Sequence, residues 1–129
     1  IAESNGLRAC FHPHLGTIVQ SPEQLETVFA ETGIGFCPDT AHLAAGGGDP
    51  AEAVRKYSDR LTLVHLKDYD STSGRFLPLG DGELNFRGIL DAVQEAHYDD
   101  WVVVELDYYD GDPAEAARRS RQYLRGLGL

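Results

Sequence analysis

Four residues with metal-binding side chains follow short apolar runs at spaced positions along the chain. They are His12, Asp39, His65 and Glu105, and the intervals between them are 27, 26 and 40 residues. A polar side chain at the carboxyl end of a buried strand is typical of the place where α/β proteins bind ligands. Two imidazoles and two carboxylates that meet at one centre suit Mn²⁺, Co²⁺ or Zn²⁺, and suit Mg²⁺ less well because of the nitrogens. His42 follows Asp39 by three residues and brings a third imidazole near the same centre.

The apolar runs predict four strands, and capping signals between them predict helices. The strands are expected at 7–12, 34–38, 61–66 and 101–105. Helix starts are indicated by Ser21-Pro22, Asp49-Pro50, Asn85 and Asp112-Pro113, where a capping residue precedes the first turn. The Gly-rich and acidic stretch that ends near Gly82 is predicted to be a long loop.

The resulting order is a strand followed by a helix, four times over. Strands that are apolar throughout, rather than alternating, indicate a parallel sheet covered on its faces. Two architectures fit this pattern: an open doubly wound sheet, or half of an eight-stranded (β/α) barrel. The hydrophobic periodicity of the sequence does not distinguish between these two architectures. In a barrel, the four strand ends would converge on the top face.

Composition excludes several classes of protein. The 129 residues have the size of one domain, and the net charge of −10 argues against binding to nucleic acid or to an anionic membrane surface. No apolar run approaches membrane-spanning length. Two cysteines are too few for a disulfide framework, so reduced thiols and a cytoplasmic location are expected. The chain starts at Ile1 and has no Met, which leads us to expect a piece of a longer protein.

Five motifs in order resemble the xylose-isomerase-like barrel superfamily, which includes sugar epimerases, inosose dehydratases and apurinic endonucleases. They are Phe11-His12-Pro13-His14-Leu15-Gly16-Thr17, Asp39-Thr40-Ala41-His42, His65-Leu66-Lys67-Asp68, Pro78-Leu79-Gly80-Asp81-Gly82 and Val104-Glu105. The resemblance covers almost the whole chain and implies one unit, 1–129, that forms the C-terminal half of a TIM barrel: four βα units, strands five to eight. It implies that Asp39, His65 and Glu105 are metal ligands and that His42 lies beside the metal and contacts substrate.

The first motif narrows the resemblance. His12 stands where many members of the superfamily have a glutamate, so the two-glutamate arrangement of the epimerases lacks one partner. His-x-His-x-Gly-Thr at this place resembles instead the inosose dehydratase branch. The endonucleases carry further acid and histidine ligands after strand seven, where this chain has Gly74-Arg75-Phe76. A trinuclear zinc centre is therefore not expected.

The residues and the resemblance together predict a metal-dependent lyase or isomerase acting on a sugar or polyol, with dehydration of a keto-inositol as the leading reaction. The predicted metal ligands are His12, Asp39, His65 and Glu105; the predicted catalytic residues are His42, Glu105 and Lys67; the predicted substrate-binding residues are His14, His42, Lys67 and Arg75. The alternatives are a sugar epimerase or isomerase of the same superfamily and a non-catalytic half-barrel that binds a ligand or another protein.

The predicted strands leave two apolar edges without a neighbour, and such edges favour association. Closing a barrel removes both edges together. We therefore expect an N-terminal half-barrel or a second copy of the chain to complete the structure, with a homo-oligomer as one outcome. The activity is expected to need that complete assembly.

Overall fold

The computed structural model describes residues 1–129, which contain six strands and five α-helices. The strands are β1 Cys10–Phe11, β2 Gly35–Phe36, β3 Val64–Leu66, β4 Asp68–Asp70, β5 Arg75–Leu77 and β6 Val102–Val104. The helices are α1 Pro22–Glu31, α2 Thr40–Ala45, α3 Pro50–Lys56, α4 Phe86–Glu95 and α5 Pro113–Leu127. None of the helices is both long enough and apolar enough to cross a membrane.

Four of the strands run parallel to one another in the spatial order β1-β2-β3-β6. β1 pairs with β2, and β3 pairs with β6. Isolated bridges from Phe36 to Leu61 and from Asp39 to His65 join the two pairs. The sheet is not closed on itself, and its four carboxyl ends meet at one edge. This arrangement is the predicted half of a TIM barrel.

The four predicted helix starts are confirmed by their capping contacts. The Ser21 side chain accepts a hydrogen bond from the Gln24 N–H, and the Gln24 side chain accepts from the Ser21 N–H, which completes a capping box. Asp49 and Asp112 cap α3 and α5 ahead of a proline, and Asn85 caps α4. These local signals fix where each of these helices begins.

The helices cover one face of the sheet only. The outward side chains of the strands are apolar and enter two buried clusters, as Phe36, Val64 and Leu66 show. Neighbouring positions along the same strands point to the other face and carry Cys10, His12, Cys37, Leu63, His65 and Glu105, which line one open hollow. The inner face therefore carries the candidate chemistry, and the outer face carries the core.

The structure differs from the sequence-based prediction at two places. The stretch predicted as a long loop contains an antiparallel hairpin, β4 with β5, in which Asp68 pairs with Leu77 and Asp70 with Arg75. A short helix, α2, begins directly after Asp39. The sequence did not predict either element, because both are too short to show a hydrophobic periodicity. Each strand of the hairpin has three residues and α2 has six.

Candidate active site

Three of the four predicted metal ligands meet at the carboxyl edge of the sheet. One ligand atom from each of Asp39, His65 and Glu105 lies within 4.8 Å of the other two. His65 Nδ1 is 3.9 Å from both Asp39 Oδ2 and Glu105 Oε2. His12, the fourth, places its Nε2 3.6 Å from the same Asp39 oxygen. All four side chains are thus brought to one place by strands far apart in the sequence.

Asp39 is positioned by α2, which it caps. Its Oδ1 accepts hydrogen bonds from the backbone N–H groups of Ala41 and His42, both at 3.1 Å. Its Oδ2 is left facing the cluster. The Asp-x-x-His motif therefore both starts a helix and supplies two side chains to the site. The capping contacts fix the Asp39 carboxylate, and the first turn of α2 directs His42 toward the site.

The hydrogen bonding of the atoms in the Asp39, His65 and Glu105 group is compatible with a bound divalent ion. Buried polar atoms without hydrogen bonds are rare. Asp39 Oδ2 and His65 Nδ1 are buried and make no hydrogen bond, although the Lys67 ammonium lies 3.3 Å from the aspartate oxygen. Both point toward the oxygens and nitrogens around them. Imidazole nitrogens and carboxylate oxygens in this number suit Zn²⁺, Mn²⁺ or Co²⁺.

The electrostatic state of the ligands is also suited to a cation. Burial would raise the pKa of Asp39, but His12 and the Lys67 ammonium outweigh it and lower the pKa to about 2. Burial lowers the pKa of His65 below its ordinary value. Near neutral pH the aspartate is therefore ionised and the imidazole is neutral, which are the protonation states that a metal requires.

Lys67 lies among the same carboxylates with a side chain that is 0% exposed. Its Nζ is 2.6 Å from Glu105 Oε2, 2.6 Å from Asp107 Oδ2 and 3.3 Å from Asp39 Oδ2. Burial would lower the pKa of Lys67, but the hydrogen bonds to Asp107 and Glu105 outweigh it and the pKa rises. Thr40 fixes the backbone here, because its hydroxyl donates to the Lys67 carbonyl at 2.6 Å and accepts from the Lys67 N–H at 2.9 Å.

A second group of polar side chains lies beside the first and consists of His14, His42 and Asp107, with one ligand atom of each within 4.8 Å of the others. The two imidazole rings lie 3.8 Å apart, centre to centre. The Nε2 atoms of His14 and His42 are each 3.5 Å from an oxygen of Asp107. The predicted substrate-binding histidines therefore adjoin the predicted metal ligands through Asp107 and Lys67.

Backbone contacts assign different roles to the two histidines. His14 Nδ1 lies 2.8 Å from the Leu15 carbonyl oxygen and must donate to it, so in the neutral ring Nε2 carries the lone pair. His42 Nδ1 accepts from the Leu15 N–H at 3.2 Å, so in the neutral ring the proton is on Nε2. Burial lowers the pKa of His42 to about 4, which keeps this ring neutral. One imidazole can accept a proton toward the site, and the other can donate one.

The β4–β5 hairpin adds an aromatic wall. The Phe76 ring meets the His42 ring edge-on with centroids 4.7 Å apart, and Lys67 Nζ lies 5.1 Å from the Phe76 centroid. Arg75 precedes Phe76 in the chain, but its side chain does not point toward Lys67 and His42. Its guanidinium pairs with Asp110 Oδ2 at 2.7 Å and is largely exposed. Arg75 is thus the one predicted substrate-binding residue whose side chain makes no contact with the cluster around Lys67.

Asp68 explains why two of the sequence motifs occur together. Its buried carboxylate accepts hydrogen bonds from the backbone N–H groups of Tyr69, Gly80, Gly82 and Leu84, at 2.8 to 3.1 Å. A Cβ at Gly82 would lie 2.5 Å from Asp68 Oδ1, so only glycine fits. Asp68 therefore holds the Pro78–Gly82 loop, and with it the hairpin, against the end of the strand that carries Lys67.

Sequence reasoning missed two side chains of the site. Asp107 contacts Lys67, His14 and His42, and it lies two residues after Glu105. That spacing, which returns a side chain to the same face of an extended chain, was the available signal. Phe76 had no such signal, because its contacts depend on the hairpin.

The chain belongs to the xylose isomerase-like TIM barrel family, whose model matches residues 1–127. It is 30% identical over 145 residues to an inosose dehydratase of Lacticaseibacillus casei, a match that covers 95% of this chain and 49% of that protein. An inosose dehydratase of Geobacillus thermodenitrificans is also 30% identical, with 97% of this chain and 49% of that protein covered. The chain spans about half the length of these curated relatives.

Two solved structures illustrate the similarity of fold. A D-tagatose 3-epimerase-like protein superposes with a TM-score of 0.79 at 24% identity, over 98% of this chain and 48% of that one. The IOLI protein, crystallised with a bound zinc atom, superposes with a TM-score of 0.72 at 23% identity, over 98% of this chain and 50% of that one. At these identities the similarity concerns the fold.

Proposed function

We propose that this chain forms the metal-binding half of a divalent-metal-dependent enzyme that acts on a sugar or polyol, and that the reaction is the dehydration of a keto-inositol. The observation that supports this most is the meeting of Asp39, His65 and Glu105 around two buried atoms without hydrogen bonds. The similarity to inosose dehydratases across nearly the whole chain supports the choice of reaction.

In this proposal Asp39, His65 and Glu105 hold the ion, with His12 as the fourth protein ligand. A bound divalent ion would polarise the substrate carbonyl and make the adjacent C–H more acidic. Lys67 donates a hydrogen bond to the carbonyl oxygen as negative charge develops on it. The wall made by Phe76 limits water at this point of the site.

Proton transfer is assigned to the groups whose protonation suits it. Glu105, which is partly exposed, or the free Nε2 of His14 accepts the proton from the carbon next to the carbonyl. The base then returns this proton to the hydroxyl that departs from the following carbon, so that it leaves as water, and His42 donates a hydrogen bond to that hydroxyl from Nε2. Epimerisation is the second candidate, because His14 and Glu105 together offer two proton acceptors.

The four-stranded sheet of residues 1–129 does not form a closed barrel. The hollow of about 430 Å³ in front of the inner face is open, and it is lined by His12, His65, Glu105 and Asp107 among others. We propose that an N-terminal half-barrel or a second copy of the chain closes it and supplies the rest of the substrate site. Light scattering of the natural protein tests the second copy.

The experiment for the reaction uses the natural protein reconstituted with Mn²⁺ or Co²⁺. Metal content is measured by mass spectrometry, and a keto-inositol and a ketohexose are assayed side by side. We expect loss of water from the keto-inositol and poor epimerisation of the ketohexose. The matched variant is Asp39→Asn, which keeps the Oδ1 acceptor for the α2 cap and loses the charge.

Asp39→Asn should weaken metal binding by at least about 100-fold, since even residues that only support a ligand are worth 10- to 100-fold. Its helix content should stay unchanged. Efficient epimerisation with no dehydration would contradict the choice of reaction. Absence of both activities, with no bound metal, would favour a non-catalytic half-barrel.

A further inference from the structure

The Lys67 ammonium contacts the same two oxygen atoms that the proposed metal needs. Asp39 Oδ2, the atom nearest to His12 and His65, is 3.3 Å from Lys67 Nζ. Glu105 Oε2, the atom nearest to His65, is 2.6 Å from Lys67 Nζ. A divalent ion and an ammonium that shared both oxygens would be adjacent cations in a buried site and would repel each other.

Asp107 offers Lys67 a second partner outside that ligand group. Asp107 Oδ2 is 2.6 Å from Lys67 Nζ, and Asp107 is not a member of the Asp39, His65 and Glu105 group. The lysine can therefore give up Asp39 and Glu105 and remain ion-paired. Its new surroundings would be the Asp107 side of the site, where His14 and His42 lie.

The charges in the cluster allow both cations to be present at once. Asp39, Glu105 and Asp107 contribute three negative charges and Lys67 contributes one positive charge. The remaining two negative charges match one divalent ion. Buried charge is tolerated only when it is balanced, so the balanced state has the ion on Asp39 and Glu105 and the ammonium on Asp107.

We propose that the Lys67 ammonium and the metal compete for Asp39 and Glu105, and that metal binding leaves the ammonium paired with Asp107. This inference rests on the proposed metal function. It couples two events in the reaction, because the Lys67 ammonium is held at 2.6 Å by both Glu105 and Asp107 and lies 3.3 Å from His42 Nε2, which leaves few of its three N–H donors for a substrate. Once displaced, Lys67 has donors free for a substrate oxygen, so it becomes available to substrate only in the metal-loaded enzyme.

The test measures Co²⁺ affinity of the natural protein by calorimetry and by the visible absorbance of bound Co²⁺. Lys67→Met removes the competing cation and should tighten Co²⁺ binding by about tenfold or more, within the range usual for coupling between two bound species. Lys67→Arg keeps the charge and should stay close to wild type. Lys56→Met is the matched control, since Lys56 is the only other lysine and is exposed.

Asp107→Asn separates displacement from a general effect of charge. With Lys67 present it should weaken Co²⁺ binding by about tenfold, because the displaced ammonium loses its partner. In the Lys67→Met background the same change should have little effect. An equal loss in both backgrounds, or a Lys67→Met variant that binds Co²⁺ no more tightly than wild type, overturns the proposal and leaves the metal site standing. Failure of the wild-type protein to bind Co²⁺ overturns the proposed function as well.

A measurement on the unaltered protein guards against a variant that does not fold. In protein labelled with ¹⁵N-lysine, the side-chain signals of Lys67 and Lys56 are identified by their loss in Lys67→Arg and Lys56→Arg. Addition of Zn²⁺, which is diamagnetic, should shift the Lys67 signal and leave the Lys56 signal in place. A Lys67 signal that does not change when Zn²⁺ binds contradicts the displacement.

Discussion

The two faces of the parallel sheet differ in what surrounds them. On the outer face Phe36, Val64 and Leu66 are fully buried beneath helices. On the inner face His12, His65 and Glu105 line an open hollow, and Val103 remains 36% exposed. The same short strands thus supply stability from one side and chemistry from the other. The alternation of side chains along a strand is what allows both.

The largest expected effect tests the outer face. Phe36 is 0% exposed and packs edge-on against the rings of Phe29 and Tyr57, with centroids 5.1 and 5.7 Å away. Phe36→Ala should therefore lower the free energy of unfolding by about 3–5 kcal/mol, because it removes a ring from a closed cluster. In residues 1–129 without a covering partner, Val103→Ala on the inner face should cost only about 0.5 kcal/mol, the usual size for a surface position. Denaturant unfolding of both variants measures the difference.

An equal loss of unfolding free energy in the Phe36→Ala and Val103→Ala variants would contradict the difference between the two faces. It would mean that Val103 is buried in solution, and hence that another half-barrel or another copy covers the inner face. Comparing the 129-residue chain with the natural protein then shows which of these supplies the cover.

Much of the outer face could be predicted from the sequence, because its signals are local. The caps at Ser21, Asp49, Asn85 and Asp112 marked the helix starts, and the apolar runs marked the strands. The strand tips followed from the same reasoning, which brought His12, Asp39, His65 and Glu105 to one edge. No local pattern indicated that Lys67 would be fully buried, since its burial depends on three carboxylates from two distant strand ends.

The hairpin was missed for a similar reason. Three-residue strands carry too little periodicity to be recognised, and the stretch around them is rich in glycine and acidic residues. What holds it is Asp68, whose four backbone partners lie between one and sixteen residues away. A carboxylate that accepts backbone N–H groups at such separations is evident only once the chain is folded.

The second largest expected effect is a pH dependence of stability caused by His42 in the candidate active site. The pKa of His42 falls from its ordinary value of 6.5 to about 4 because the ring is buried. Between these values the unfolded chain binds more protons than the folded one, so stability must fall as pH is lowered through this window. The loss for one such group is about 3 kcal/mol, it is complete near pH 4, and it is absent above pH 6.5. Denaturant unfolding of the metal-free protein between pH 4 and pH 7 measures it.

His42→Asn should remove the His42 share of this loss, while the share of His65, whose pKa burial also lowers, should remain. His97 is exposed, so His97→Asn should leave the profile unchanged and is the matched control. A wild-type profile that is already flat between pH 4 and pH 6.5 would show that the His42 ring is open to solvent, which would contradict the closed packing of His42 against His14 and Phe76.

The smallest expected effect concerns Arg75. Its substitution tests whether this exposed residue takes part in substrate binding at the inner face, as predicted. Its guanidinium lies on Asp110 at the surface, and an exposed pair of this kind contributes less than about 1 kcal/mol. If Arg75 stays with Asp110 during turnover, Arg75→Ala should leave both kcat and KM for the keto-inositol near their wild-type values. If closure of the barrel turns the hairpin inward, the same variant should raise KM and leave kcat little changed, because binding is lost equally from substrate and transition state. Asp110→Ala separates these outcomes: it breaks the pair but keeps the arginine, so it should be silent in the first case and should lower KM in the second, where Arg75 is released toward the substrate.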